Sequence, residues 1–172
     1  MEETDIKTGK IGWTYGLIAG LVSVVFSLMI YFMDMTITVI ENPISQIIGP
    51  IIIIIVMIIG VIAYKKANNG YIKIGQALKV ACGIGLIAGI IGILYGLILG
   101  MIDPELIETV SEYLKEKTFA QNPNMKMTDE QWETGMKVQT YIGYAASIIL
   151  PVILGLIVGA ITGAIVQNKR PE

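Results

Sequence analysis

The chain has 172 residues, of which 54% are hydrophobic and 15% charged, and its formal net charge at pH 7 is −2. Its mean hydropathy of +0.70 exceeds what a soluble domain of this length needs, and the lack of a basic excess argues against nucleic acid as a partner. The sequence has no histidine and one cysteine, Cys82, which excludes an intrachain disulfide and a Cys/His metal site.

The first predicted span covers residues 11–33 and carries no charged residue. It is longer than the apolar region of a signal peptide and follows acidic residues, so we expect it to be retained in the membrane. Gly12, Gly16 and Gly20 recur at intervals of four and therefore share one face of the helix. Such small-residue faces allow another backbone to approach closely in a bilayer. We call a run of glycines with this spacing a glycine ladder.

A short polar connection, residues 34–46, contains no lysine or arginine, and its Asn42-Pro43 pair predicts a turn or a helix start. The second predicted span, residues 47–64, is dominated by isoleucine and is long enough to favour a helix over a buried strand. We expect Pro50 to lie within about the first turn of that helix, where its missing N–H costs least.

The third predicted span, Val80 to Ile102, is the most regular part of the chain. At ~1.5 Å per residue it forms a helix of about 34 Å, enough to cross the ~30 Å hydrocarbon core. Its glycine ladder falls on one face, where we expect a neighbouring helix to pack, within the chain or from another copy. The members of this ladder are Gly85, Gly89, Gly92, Gly96 and Gly100.

A polar insert, residues 103–137, follows the third span. Asp103, Pro104 and Glu105 form a helix-start signal, with an N-cap residue, a proline at the first helical position and an acid behind it. Thr128 and Gln131 begin a capping box, which predicts a second helix. We therefore expect a two-helix hairpin outside the membrane, whose second arm continues into the last span. Its acids lack the spacing of a calcium-binding loop, so we predict no metal site.

The fourth predicted span, residues 141–166, contains a third glycine ladder formed by Gly155, Gly159 and Gly163. Pro151 lies inside this span and should kink it near Ser147, as a static bend or a hinge, because proline removes one helical hydrogen bond. The spans hold no ionisable side chain apart from tyrosine and Cys82, which argues against a proton- or ion-coupled pump.

The distribution of basic residues predicts which ends face the cytoplasm. With the N-terminus inside, the tails and the loop between the second and third spans carry eight of the twelve basic residues, and the short outer connection carries none. Basic residues favour the cytoplasmic side, so we expect both termini inside. The eight residues are Lys7, Lys10, Lys65, Lys66, Lys73, Lys79, Lys169 and Arg170.

The stretch Asn69 to Lys79, which reads Asn-Gly-Tyr-Ile-Lys-Ile-Gly-Gln-Ala-Leu-Lys, resembles a motif of a bacterial membrane family known only as a domain of unknown function (number four-one-nine-nine). This chain has isoleucine at position 74, where phenylalanine is frequent in that family. The similarity continues through Asp103-Pro104-Glu105, the acidic insert and the fourth span. It implies four spans in a bacterial inner membrane, and it brings no activity and no catalytic residue.

We therefore predict an all-α, integral membrane four-helix bundle with a two-helix extracytoplasmic hairpin between spans three and four. No nucleophile–histidine pair, phosphate-binding loop or cofactor motif occurs, so we predict no enzyme, no catalytic residue and no cofactor. The first function hypothesis is a structural or interaction subunit that packs through its glycine ladders, with the lipid bilayer and either a second copy or another membrane protein as partners. The alternative is a small channel or carrier for a neutral or apolar solute or lipid, with Ser147, Thr162 or Tyr95 on its path.

Overall fold

The computed structural model describes residues 7–168, which fold into helices with no strand in that range. Four of the helices are long and apolar enough to cross a bilayer, which indicates a multi-pass membrane protein. A short helix follows the first of them, and an amphipathic helix precedes the last. In chain order the helices are α1 (Thr8–Phe32), α2 (Thr36–Glu41), α3 (Pro43–Ala67), α4 (Ile74–Ile102), α5 (Pro104–Gln121) and α6 (Asp129–Val166).

Side-chain caps define three of the helix starts. The Asn42 side chain accepts a hydrogen bond from the Ile44 amide at the start of α3. Asp103 does the same for the Leu106 amide at the start of α5, with Pro104 as the first helical residue. At the start of α6 the capping box predicted from the sequence is formed. The Thr128 hydroxyl accepts a hydrogen bond from the Gln131 backbone amide, and the Thr128 backbone amide donates to the Gln131 side-chain oxygen.

Only one half of the four-helix arrangement has a buried core. Helix α4 packs most extensively against α6 and α1, and α3 contacts all three of them. Of the largest fully buried side chains, Tyr64 and Met57 come from α3, Ile84 comes from α4, and Ile72 comes from the segment before α4. We call this the packed half: residues 8–20 of α1, 56–67 of α3, 74–89 of α4 and 151–166 of α6.

The other half of the same helices is splayed. No residue is buried in residues 21–32 of α1, 43–55 of α3, 90–102 of α4 or 141–150 of α6, which together we call the open half. The helices still continue to its end, since α4 reaches Ile102 before it stops. The buried core of the bundle is therefore confined to one end of the four long helices.

The structure differs from the sequence expectations in three places. Pro50 lies well inside α3, because that helix begins at Pro43; the expectation that Pro50 would lie in about the first turn is wrong. The connection after α1 contains helix α2 rather than only polar loop. Helix α4 begins at Ile74, six residues before the predicted span, because the lead-in segment is helical too.

A short backbone contact closes the packed end. Ile72 and Asn168 exchange two backbone hydrogen bonds of 2.9 and 3.1 Å, and the Asn168 side chain donates to the Gly70 carbonyl. This contact joins the segment before α4 to the segment after α6. Asn69 and Gly70 both adopt a positive φ there, the backbone conformation that stops α3. Lys169 and Arg170, used above to predict orientation, lie outside the described residues.

Candidate functional site

The closest approach of two helices lies along the line where α4 meets α6, which we call the α4–α6 seam. A Cβ placed on Gly85 would overlap the carbonyl oxygen of Pro151, and one on Gly89 would overlap that of Ser147. From the other side, a Cβ on Gly155 would come within 2.8 Å of the Ala81 carbonyl oxygen. Glycine is the residue that permits this spacing, because each of these contacts is with backbone.

Toward the C-terminal end of α6, the same seam involves the other two members of the α6 ladder. A Cβ on Gly159 would lie 2.9 Å from the Leu78 Cα, and one on Gly163 would lie 2.8 Å from the Ala77 Cβ. Five of the predicted glycines thus face each other across the α4–α6 seam. Pro151 is buried in it as well.

Pro151 explains why a carbonyl group faces the seam. Proline has no amide hydrogen, so the carbonyl of Ser147, four residues earlier, lacks its usual helical donor. That carbonyl points at Gly89, where the Cα hydrogens of glycine can approach an oxygen closely. The Ser147 side-chain hydroxyl does not take part in this contact, since it donates to the Gly143 carbonyl of its own helix at 2.8 Å. The proline and the glycine therefore form one local arrangement.

The ladder of α1 packs on a different face of α4. A Cβ on Gly12 would lie 3.5 Å from the Cα of Gly83, and Cβ atoms on Gly16 and Gly20 would overlap the side chains of Ile87 and Ile91. Gly83 was not among the predicted packing residues, because it is not part of a ladder and a lone glycine gives no spacing signal.

Helix α3 carries a further packing glycine that the sequence did not single out. A Cβ on Gly60 would lie 2.5 Å from the Ile84 side chain and 3.3 Å from that of Tyr15. No other glycine lies three or four residues from Gly60 in α3, so the spacing of the sequence did not indicate its role.

The rest of the α4 ladder lies in the open half. Apart from the backbone of α4 itself, no atom lies within 4 Å of a Cβ built on Gly92 or Gly96, and for Gly100 the nearest such atom is the Ile107 Cγ1 at 3.9 Å. The spacing therefore placed all five glycines on one face, but only Gly85 and Gly89 meet α6 there, and Gly100 meets a side chain of α5. Gly92 and Gly96 leave a stretch of bare backbone surface in the open half.

The hairpin, formed by α5 and residues 129–140 of α6, is held by side chains. Lys115 donates to Asp129 at 2.6 Å, and the Trp132 indole donates to the Ser111 hydroxyl at 3.2 Å. Phe119 packs near Trp132 with ring centroids 6.2 Å apart. The two arms of the hairpin thus contact each other through polar and aromatic side chains.

Two tyrosine–carboxylate hydrogen bonds tie the hairpin end to the open half. The Tyr31 hydroxyl donates to Asp103 at 2.8 Å, and the Tyr113 hydroxyl donates to Glu41 at 2.9 Å. The hydrogen bond from the Leu106 amide, and then the one from Tyr31, lower the pKa of Asp103 below its usual value of 3.8. Asp103 therefore joins the ends of α1, α4 and α5 as a carboxylate.

The open half contains two apolar clefts. One is a cavity of about 340 Å³ between α1, α3 and α6, lined in part by Pro50, Gly143 and Ser147. Ser23 also lines it, and its hydroxyl oxygen is enclosed without a hydrogen-bond partner among the described residues. The other is a groove of about 360 Å³ between α1 and α4, in which Tyr95 supplies the one hydroxyl of the described lining.

The three residues expected on a polar path do not converge. Ser147 lies at the cavity between α3 and α6, Tyr95 lies in the groove between α1 and α4, and Thr162 is buried in the packed half. The Cys82 sulfur lies 3.7 Å from the Val152 carbonyl oxygen, within the α4–α6 seam. Across residues 7–168 no group of three acidic, cysteine or histidine side chains is placed to hold a metal ion.

Comparison with known proteins gives one match. Residues 14–168 match the family described as Protein of unknown function (DUF4199), which is most of the chain. No curated protein and no solved structure matches the sequence.

Proposed function

Because the chain belongs to the DUF4199 family, whose description assigns no activity, we propose a function from the geometry: a non-enzymatic membrane subunit that associates with a second copy of itself through the open half of its bundle. One observation carries this proposal. In the packed half, Gly85 and Gly89 of the α4 ladder contact α6, whereas Gly92 and Gly96 continue the same ladder with no helix against them.

The chemistry of that surface favours another helix of the same kind. In a bilayer, helices associate through close van der Waals contact, and small residues four apart provide it. Two copies of α4 can meet through the same ladder, so that each presents to the other the surface it receives. A two-fold contact of this type needs no further partner.

We also propose the surroundings of this subunit. Of the ten lysines in residues 7–168, six lie at the packed end and four lie in residues 115–137; the six are Lys7, Lys10, Lys65, Lys66, Lys73 and Lys79. Basic residues favour the cytoplasmic side, so the packed end faces the cytoplasm and the hairpin lies on the opposite side. The resemblance noted above supports a bacterial inner membrane as the location.

The experiment is the intact mass of the full-length protein in lipid nanodiscs, measured by native mass spectrometry. We expect wild type to give a multiple of 18.7 kDa. Gly96→Leu should weaken the association by about tenfold, equivalent to ~1.4 kcal/mol, because a leucine side chain keeps the second helix away. Gly75→Leu is the matched control, since it lies in the same helix with open space around it but at the packed end.

Single chains for wild type at all protein-to-lipid ratios would contradict the proposal, as would equal association of Gly96→Leu and Gly75→Leu. Gly159→Leu answers a different question. Its side chain would meet the Leu78 backbone within the chain, so it should impair folding rather than association alone.

The second candidate is a carrier for a neutral or apolar solute or lipid, and the 340 Å³ cavity beside Ser147 favours it. A channel receives less support, because Ser147, Thr162 and Tyr95 lie in three separate places. Reconstituted vesicles would test this candidate. Lipid scrambling or solute flux that Leu150→Trp blocks at the cavity, and that Ile149→Trp on the neighbouring face leaves intact, would support it over the scaffold.

A further inference from the structure

The groove between α1 and α4 has defined ends. At its inner end Gly20 lies directly against the Ile91 side chain. At its outer end the Tyr31 hydroxyl donates to Asp103. Between these two contacts the helices separate enough to leave about 360 Å³. This volume lies within the range of about 300–1,000 Å³ found for small-ligand sites.

The lining and length of the groove fit one hydrocarbon chain. Except for Tyr95, the described residues that line it are aliphatic, among them Leu21, Leu28 and Leu94. The run from Gly20 to Tyr31 rises about 16 Å along α1. This length is close to half of the ~30 Å hydrocarbon core, which is the depth of one leaflet. An acyl chain entering from the outer end would therefore fill the groove to its floor.

The outer end of the groove carries negative charge. Asp103 is half-buried there, and its two oxygens accept hydrogen bonds from Leu106 and Tyr31. Asp34 follows Tyr31 by three residues, and no lysine or arginine occurs in residues 34–46.

The two lysines of α5 have other contacts. Lys115 is paired with Asp129, and Lys117 lies over the Tyr113 ring at 5.4 Å. A cationic group at the rim would meet carboxylates with no competing lysine, whereas an anionic headgroup would be repelled.

We propose that this groove binds one acyl chain of a membrane lipid whose ammonium headgroup lies beside Asp103. The acyl chain provides the apolar contact, and the carboxylate selects the headgroup. The site goes beyond the proposed self-association, because it lies on the α1-facing side of α4 and not on the surface of Gly92 and Gly96. Single chains with lipid bound would contradict self-association and leave this proposal standing.

The test uses the full-length protein in nanodiscs made of equal amounts of phosphatidylethanolamine and phosphatidylglycerol with the same acyl chains. Native mass spectrometry then reads which lipid stays bound as detergent and collision energy remove the rest. We expect wild type to retain phosphatidylethanolamine over phosphatidylglycerol by about fivefold, the effect of one exposed ion pair. Equal retention of the two lipids would overturn the headgroup assignment without any variant being needed.

Variants locate the acyl chain. Val24→Trp fills the groove and should lower the retained lipid by about fivefold. Val25→Trp is its control, because Val25 is 58% exposed on another face of α1. Leu94→Trp, with Leu97→Trp as control, repeats the comparison from α4, so that a folding failure of one variant does not leave the question open. Equal retention within both pairs would overturn the groove as the site.

A third pair tests the charge. Asp103→Asn should abolish the preference between the two lipids while lipid remains bound, and Asp34→Asn should preserve most of it. Persistence of the full preference in Asp103→Asn would exclude this carboxylate as the selecting group. A second copy of the chain seated in the groove would appear as a dimer that loses lipid as it forms, and that outcome would also overturn the proposal.

Discussion

Replacing Gly89 with alanine would add one methyl group where α4 comes closest to α6. An ideal Cβ there overlaps the Ser147 carbonyl oxygen and lies 3.1 Å from the Ile148 Cα. These are backbone atoms of a helix, so no rotation of a side chain relieves the overlap, and overpacking of this kind costs about 1–3 kcal/mol. Alanine also gains about 1 kcal/mol of helix propensity over glycine. We therefore expect Gly89→Ala to lower the free energy of unfolding by up to about 2 kcal/mol.

Gly75→Ala is the matched substitution in the same helix, because the same methyl group would have no atom within 4 Å apart from the backbone of its own helix, and Gly75 lies outside the proposed association surface. It gains the propensity without the overlap, so the difference between the two variants isolates the contact at about 1–3 kcal/mol. The assay is reversible unfolding of the full chain in mixed micelles by titration with sodium dodecyl sulfate, followed by circular dichroism. Equal stability of the two variants would refute the close approach of α4 to α6 at this position.

Two further predictions concern the loops at either end of the bundle. Gly70 has φ +82° and open space around it, so Gly70→Ala should destabilise the protein by about 1–2 kcal/mol through backbone strain alone; Gly75→Ala, in open space within a helix, should not, and the same titration compares them. The hydrogen bonds from Leu106 and Tyr31 lower the pKa of Asp103 in the folded state below its usual value of 3.8. These bonds therefore stabilise the protein above pH 3.8, and the stabilisation is lost as the pH falls through the lower pKa of the folded state. The stability of Asp103→Asn should therefore depend less on pH below about 4 than that of wild type, and identical pH profiles would remove Asp103 from the account.

The sequence predicted the positions of the helices better than it predicted which helices pack against each other. The apolar blocks correspond to the four long helices, and the family expected from the stretch Asn69 to Lys79 is confirmed by the match over residues 14–168. Caps at Asp103 and Thr128 are local, because the side chain and the amide it binds are at most three residues apart, so spacing alone identifies them.

The extent of packing could not be read in the same way. Glycine spacing fixes which face of α4 is smooth, and it says nothing about how far a second helix follows that face. Gly89 and Gly92 have the same chemistry, yet Ser147 lies against the first and nothing lies against the second. What separates them is the path of α6 on the N-terminal side of Ser147, a tertiary property that depends on the whole arrangement.

The wrong expectation for Pro50 also arose because the apolar pattern does not show where the helix begins. Pro50 and Pro43 are both acceptable near a helix start, and the apolar pattern begins closer to Pro50. The structure starts the helix at Pro43 because Asn42 caps it, which leaves Pro50 inside an apolar helix where the carbonyl four residues earlier loses its donor. Likewise the contact between Ile72 and Asn168 joins segments with no local signal for pairing.

The α4–α6 seam also has a consequence for biosynthesis. Cys82 and its contact Val152 are 70 residues apart in the chain. At 5–20 residues per second the ribosome takes roughly 4–14 s to deliver one after the other. During that interval α4 is already long enough to enter the bilayer, and its glycine face lacks the helix α6 that covers Gly85 and Gly89 in the complete fold. The nascent protein therefore passes through a three-helix stage in which its closest contact cannot form, and the last helix to be synthesised completes the fold.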